Sequence, residues 1–397
     1  MKEPKIRFKG FKGEWVETPL LDVVTLYNGL TYTPNDIRDH GTLVLRSSNV
    51  QEGEISLFDN VYVRSEVATS PNVKKGDIIV VVRNGSRTLI GKHAQIKSVM
   101  PNTVIGAFMA GIHTDEPEFL NALLCTRRFD NEVTINLGAT INQITNGTFH
   151  SMKFLFPDKK EQKALGYYFQ HLDSLIQSTT KKIESLKQVK AASLQSMFPQ
   201  EGETTPRVRF KGFEGEWEKV RASNVFKTFN EKNRPDLPVL SATQDRGMVT
   251  RESIGYNIFH DKSNEATYKH ILPGQFIIHL RSFQGGFAHS SIEGIASPAY
   301  TIMEFKDKTR HFDLYWKYIF VSKEFIKRLE LITYGIRDGR SISFEEFSEM
   351  YFTVPSYEEQ KKIASYITIL DRQISLQTQR LEKLKQIKAA CLDNMFV

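Results

Sequence analysis

At 397 residues the chain is longer than a single hydrophobic core sustains, so two or more domains are expected. With 40% hydrophobic residues, 25% charged residues and a net charge of +7, it reads as a globular, moderately basic protein; that balance permits a polyanionic partner without requiring one. Its two cysteines, Cys125 and Cys391, lie far apart, which excludes a disulfide framework and a cysteine-rich zinc site and fits a reducing cytoplasm.

The segment from Met1 to Phe11 carries four basic residues and no apolar core. The longest aliphatic run, Ile78 to Val82, has only strand length, so neither a signal peptide nor a membrane span is expected. The first recognisable motif is Ile6-Arg-Phe-Lys-Gly-Phe-Lys-Gly-Glu-Trp15. Strand signals follow at Thr42–Arg46, Gly76–Arg83 and Ile135–Leu137, punctuated by glycines, with a short helix expected around Glu118–Phe129. Next come Pro157-x3-Glu161-Gln162 and Leu172-Asp173, opening a run that lacks proline and glycine after Gly166. Apolar residues step along it by four and three at Leu165, Phe169, Leu172, Ile176, Ile183 and Leu186, with Thr179 completing the series: a coiled-coil seam. The 37 residues from Glu161 to Met197 predict a helix about 55 Å long. At Lys190 the register falters and the stripe moves to Val189 and Leu194.

After a linker at Gln200–Pro206 the chain begins again. Val208-Arg-Phe-Lys-Gly-Phe-Glu-Gly-Glu-Trp217 matches the opening motif at eight of ten positions. Strands are expected at Gly274–Arg281 and Ala299–Met303, and a helix around Phe312–Leu329. Pro355-x3-Glu359-Gln360 and Leu370-Asp371 repeat their counterparts at an offset of 198, as does the final helix, whose seam is Ile363, Ile367, Leu370, Ile374, Leu381 and Leu384 and falters at Lys388. The order is domain, helix, domain, helix, with the fold class α+β. The boundaries fall at 1–156, 157–199, 200–354 and 355–397. Duplication of a unit of about 200 residues describes this better than a solenoid. Heptads alone do not choose partners, and each helix could dock on its own domain or drive homodimerisation. Because the halves are equivalent, the expected arrangement is one antiparallel coiled coil within the chain, with approximate two-fold symmetry.

No phosphate-binding loop is present. The nearest approach, Gly85-Ser-Arg-Thr-Leu-Ile-Gly91-Lys92, has the wrong spacing. Ser297-Pro-Ala-Tyr300 lacks the acidic or amide residue that an adenine methyltransferase uses, and the ten histidines show no metal-ligand spacing. The chain therefore reads as a binder without catalytic residues, metal or cofactor of its own.

The Arg-Phe-x-Gly-Phe-x-Gly-Glu-Trp motif opening each half, with Pro-x3-Glu-Gln and Leu-Asp leading the helix that closes it, resembles the specificity subunits of type I restriction-modification systems over essentially the whole chain. The resemblance implies two target recognition domains, each reading one half-site of a bipartite asymmetric DNA site, with the helices as spacer. It also implies two methyltransferase subunits, which use S-adenosylmethionine, and restriction/translocase subunits, which use ATP and magnesium, in a bacterial or archaeal cytoplasm. Two other readings remain open: a homo-oligomeric coiled-coil scaffold or adaptor with two ligand-binding domains, and a fused enzyme with an unfamiliar active site.

Phosphates call for cations, and base edges for Arg, Asn, Gln, Ser or Thr, so polar clusters leaving strand ends or glycine turns are the candidate readers. In the first domain these are Arg46, Ser47, Ser48 and Asn49; Arg83, Asn84, Ser86 and Arg87; Lys92; and Thr140, Asn142 and Gln143. In the second they are Ser241, Thr243, Gln244 and Arg246; Arg281, Ser282 and Gln284; and Arg337 and Arg340. Arg83 and Arg281 occupy equivalent places in the repeat.

Overall fold

The computed structural model describes residues 2–137, 142–200, 202–243, 246–254, 262–279, 286–333 and 342–397. The chain divides into two compact units, Met1–Lys181 with Thr378–Val397, and Lys182–Gln377. The division falls inside both long helices, Lys159–Ser196 and Tyr357–Met395.

In the first unit an antiparallel sheet orders its strands as Thr25–Asn28, Met109–His113, Ile78–Val81 and His93–Gln95. The strand Ile78–Val81 is buried on both faces, which explains its unbroken aliphatic run. Ile78 and Val80 pack with Phe119, Leu123 and the first long helix, while Ile79 and Val81 face a second core with Leu45 and Ile105. That second core lies under another four-stranded sheet, ordered Thr103–Ile105, Thr42–Leu45, Val61–Val63 and Ile37–Arg38, whose first pair is parallel. A short antiparallel pair, Val16–Pro19 with Lys153–Phe156, joins the opening motif to the segment leading into the long helix.

The second unit repeats the central sheet as Phe226–Phe229, Thr301–Phe305, Phe276–Ile278 and Phe287–His289. Its short pair is Glu218–Arg221 with Tyr351–Val354. The same alternation applies, with Phe276 and Ile278 in the helix-side core and Ile277 in the other. Helix-side packing here is strongly aromatic, with Phe226 and Phe320 in contact with each other and each with Trp316 and Phe347.

One expected strand is corrected. Ile135 lies in the last turn of a helix, Arg127–Asn136. Thr126 caps that helix by accepting from the Phe129 amide, and Phe129 and Val133, four residues apart, supply its buried face. The β-branched run Val133-Thr-Ile favours a strand by propensity alone, and the cap and packing override it.

The seam residues divide by depth. Leu165, Phe169, Leu172, Ile183, Ile363, Ile367 and Leu370 are buried, whereas Ile176, Leu186, Ile374, Leu381 and Leu384 are half-buried. The beginnings of the two seams do not face a helix alone. Leu165, Phe169 and Leu172 join the core of the first unit, and Ile363 and Ile367 that of the second. The lysines at which the heptads falter hold ion pairs: Lys388 to Asp173 in the first unit and Lys190 to Asp371 in the second, both at 2.5 Å. Each pair joins the opening part of one long helix to the closing part of the other, and the two pairs are equivalent under the repeat. In the first unit Tyr168 Oη lies 3.3 Å from Cys391 Sγ, so the contact at position 168 rises to 173 as its partner falls from 391 to 388, which makes these segments antiparallel.

Candidate nucleic-acid interface

In the first unit three of the expected polar clusters meet at one edge of the fold. The strand Thr42–Leu45 ends at Arg46 and turns through Ser47–Asn49. The strand Ile78–Val81 ends two residues before Arg83. A third stretch, Asn142–Ile144, runs alongside: Arg83 and Gln143 form an antiparallel bridge, and the Ile144 amide donates to Val82 O at 2.8 Å. Side chains complete the connection. Asn84 Nδ2 donates to Ser47 Oγ at 3.2 Å, and Asn142 Nδ2 donates to Gly85 O at 3.2 Å. The Asn84 carboxamide oxygen accepts from the Ser86 amide at 3.0 Å, an Asx turn that shapes the 84–87 loop. Ser86 Oγ in turn lies 2.9 Å from Thr88 Oγ1.

The cations at this edge differ in how they are held. Arg46 is paired with Asp59 at 2.6 Å, so its charge is largely balanced within the protein. Arg87 is exposed and donates to Leu137 O at 3.4 Å, and Lys92 is exposed on the following turn. Arg83 is exposed, and among the described residues no carboxylate pairs with it. Its guanidinium carbon lies over the Phe108 ring, 5.2 Å from the centroid.

Two of the expected readers are corrected. Asn49 is fully buried; it accepts from the Arg46 amide and donates to Ser56 O and Asp59 O, so it shapes the loop and offers nothing outward. Ser241 is 8% exposed, and its hydroxyl accepts from Arg251 Nε at 3.3 Å. Ser48 is half-buried with an unpartnered hydroxyl oxygen. In the second unit Thr243 and Arg246 share a hairpin turn, where Thr243 Oγ1 donates to Gly247 O and accepts from the Arg246 amide. Thr140, Gln244, Arg281, Ser282, Gln284, Arg337 and Arg340 lie outside the described residues.

Two residues at this edge, Asp59 and Phe108, carry no signal in the sequence that would single them out. Asp59 is thirteen residues from the arginine it neutralises. Phe108 is 53% exposed, an apolar residue where the chemistry of DNA reading directs attention to polar ones. Among the described residues no group of three or more His, Cys, Asp or Glu side chains is placed to hold a metal ion, and no helix is long and apolar enough to cross a membrane.

The model of the type I restriction modification DNA specificity domain matches the chain twice, over residues 12–188 and 214–386. Among curated proteins the chain is similar to the StySPI specificity subunit of a type I restriction enzyme from Salmonella potsdam, 25% identical over 184 residues, covering 44% of this chain and 40% of that protein. It is also similar to the EcoKI specificity subunit from Escherichia coli K12, 26% identical over 184 residues, covering 44% of this chain and 39% of that protein. These matches thus span about two-fifths of the length of either relative. Among solved structures the chain is similar to the S subunit of a type I restriction-modification system from M. genitalium, with a TM-score of 0.63 and 13% identity, covering 100% of this chain and 99% of that one. At that identity the likeness establishes the fold.

Proposed function

The chain belongs to the type I restriction-modification DNA specificity family, and from that membership we propose that it is the non-catalytic subunit that reads a bipartite, asymmetric DNA site. Each unit reads one half-site. The double match of the specificity-domain model, on two halves whose middles differ in sequence, carries this reading. Unlike readers imply unlike half-sites, hence an asymmetric target. In the first unit the edge formed by Arg83, Asn84, Arg87, Asn142 and Gln143 supplies the donors and acceptors that base edges and phosphates require.

We further infer that the two long helices pair antiparallel along their length and set the spacing between half-sites, as dimer geometry sets it where readers lie about 34–36 Å apart. The equivalent Lys388–Asp173 and Lys190–Asp371 ion pairs support this. Two methyltransferase subunits dock on the chain and supply S-adenosylmethionine-dependent adenine methylation. Restriction/translocase subunits add ATP- and magnesium-dependent cleavage. The complex works in the bacterial or archaeal cytoplasm.

Methylome sequencing of a host carrying this gene with its methyltransferase gene tests the proposal. A bipartite, asymmetric, adenine-methylated motif is expected. A palindromic motif, or none, would refute it. With the assembled complex, Arg83→Ala should weaken specific binding, and unchanged affinity with an unchanged salt slope would remove Arg83 from the site.

A further inference from the structure

We propose that Phe108 is a positioning residue that holds the Arg83 guanidinium as a preset fork for a guanine in the half-site read by the first unit. This deepens the DNA-reading function proposed above and rests on it.

The Phe108 carbonyl accepts both the Val82 amide, at 2.9 Å, and the Arg83 amide, at 3.2 Å. The loop bearing the ring is thereby fixed to the backbone of the arginine it faces. On its other side the same backbone is bridged to Gln143 and flanked by the Ile144-to-Val82 and Asn84-to-Asn142 bonds. Arg83 thus leaves the sheet from a backbone pinned on both sides, and its guanidinium rests over an aromatic ring that is itself 53% exposed. A ring face attracts the cation without using its N–H donors. Among the described residues no acid takes those donors, in contrast to Arg46, which is neutralised by Asp59.

The chemistry of the partner follows from what is held in place. A phosphate can also take a fork, but it accepts a mobile cation as well and so gains little from a side chain held in advance. A planar fork held in place suits a base edge with two adjacent acceptors, and in the major groove guanine presents them at O6 and N7. The carboxamides of Asn84, bonded to Ser47 and Ser86, and of Asn142, bonded to Gly85, belong to the same group of loops. Ile78 pairs with Ile112 and its counterpart Phe276 pairs with Met303, and by that register Ala299 occupies the place of Phe108 in the second unit.

The test uses the complex assembled with its methyltransferase subunits and a pool of randomised duplexes, sequencing those that are bound. The wild type should enrich a bipartite motif. Phe108→Ala and Arg83→Lys should each weaken the preference for guanine at the same single position by about 5- to 150-fold, leaving the rest of the motif intact. Phe108→Tyr should restore it. Guanine preference retained in Arg83→Lys, with a uniform loss of affinity and a shallower salt slope in Arg83→Ala, would mark a phosphate contact and overturn the inference. Loss in Arg83→Lys but not in Phe108→Ala would overturn the role of Phe108. A wild-type complex that enriches no motif would remove the DNA-reading function and the inference together.

Discussion

Arg7 and Glu161, 154 residues apart, form a two-pronged ion pair in which Nε and Nη2 of the arginine each donate to a carboxylate oxygen at 2.7 Å. Nη1 donates to Gly13 O, closing the turn of the opening motif. Arg209, Glu359 and Gly215 repeat the arrangement in the second unit at 2.7, 2.8 and 2.6 Å. The neighbouring glutamines act separately, with Gln162 and Gln360 donating to the carbonyls of Pro157 and Pro355. The recurring Pro-x3-Glu-Gln signature is therefore the receiver for the arginine of the motif that opens the same half.

Glu161 is 1% exposed, and both of its carboxylate oxygens accept from Arg7. Arg7→Met should destabilise the first unit by about 3–5 kcal/mol, because a buried carboxylate is left uncompensated. Arg7→Met combined with Glu161→Leu should recover most of that loss. Urea unfolding followed by tryptophan fluorescence gives the comparison, and additive effects of the two changes would show that the pair is not coupled.

The ends of the two long helices occupy equivalent places by different routes along the chain. Phe198 stacks on Tyr315 beside Trp217, and the Val208 amide donates to Ser196 O at 2.9 Å. In the first unit Phe396 packs against Trp15, Phe119 and Phe169, and the Ile6 amide donates to Asn394 O at the same 2.9 Å. What is a short covalent loop in one unit is a non-covalent contact between distant segments in the other. Phe396→Ala should therefore cost about 3–5 kcal/mol. A permuted chain that joins Val397 to Met1 through a few residues and opens within the 200–206 segment should melt within a few degrees of the original. A permutant that aggregates or melts far lower would show that the 200–206 connection itself is required.

The seams and the doubled plan are legible because periodicity and repetition are properties of the sequence itself. Residues whose role depends on a distant partner are not. Lys190 and Lys388 read as faults in the heptads, and each is an ion-pair partner of the Leu-Asp motif on the other long helix. Asn49 and Ser241 have the right chemistry, but a polar side chain can satisfy its own surroundings as readily as a ligand: Asn49 bonds within its own loop, and Ser241, inside the strand Leu240–Thr243, accepts from Arg251. Asp59 and Phe108 become visible only when the loops that carry them are folded against Arg46 and Arg83.

His311 gives the second unit an acid sensitivity. Its ring packs against Phe305 and Trp316, and burial, followed by the nearby Arg310 charge, pulls its pKa down from 6.5 to about 4. The folded chain thus keeps the ring neutral over a range in which the unfolded chain binds a proton. Its contribution is complete above pH 6.5 and is lost as the pH falls toward 4. His311→Phe should flatten the decline in stability across that window by about 1–2 kcal/mol, allowing for solvent screening of a partly exposed ring. Denaturation midpoints measured at pH 7 and pH 5 provide the test, and parallel declines in the two proteins would assign the acid sensitivity elsewhere.

Gly166 breaks the rule that a long helix avoids glycine, and its neighbours supply the reason. A Cβ at this position would stand 2.7 Å from the backbone nitrogen of Phe119 and 2.9 Å from Glu118 Cβ, so the first long helix approaches the Pro117–Leu124 helix too closely for a methyl group. The equivalent position in the second helix is Ala364, which is fully buried, so a methyl group is accommodated there. On helix propensity alone Gly166→Ala should stabilise by about 1 kcal/mol. The close backbone approach reverses the sign, and a net loss of about 1–3 kcal/mol is expected as the two helices are forced apart. Ala364→Gly should also destabilise, by about 1 kcal/mol, through propensity and lost packing. Thermal melts of the two variants would show both losses, and a Gly166→Ala protein that is more stable than the original would mean that the helices part at little cost.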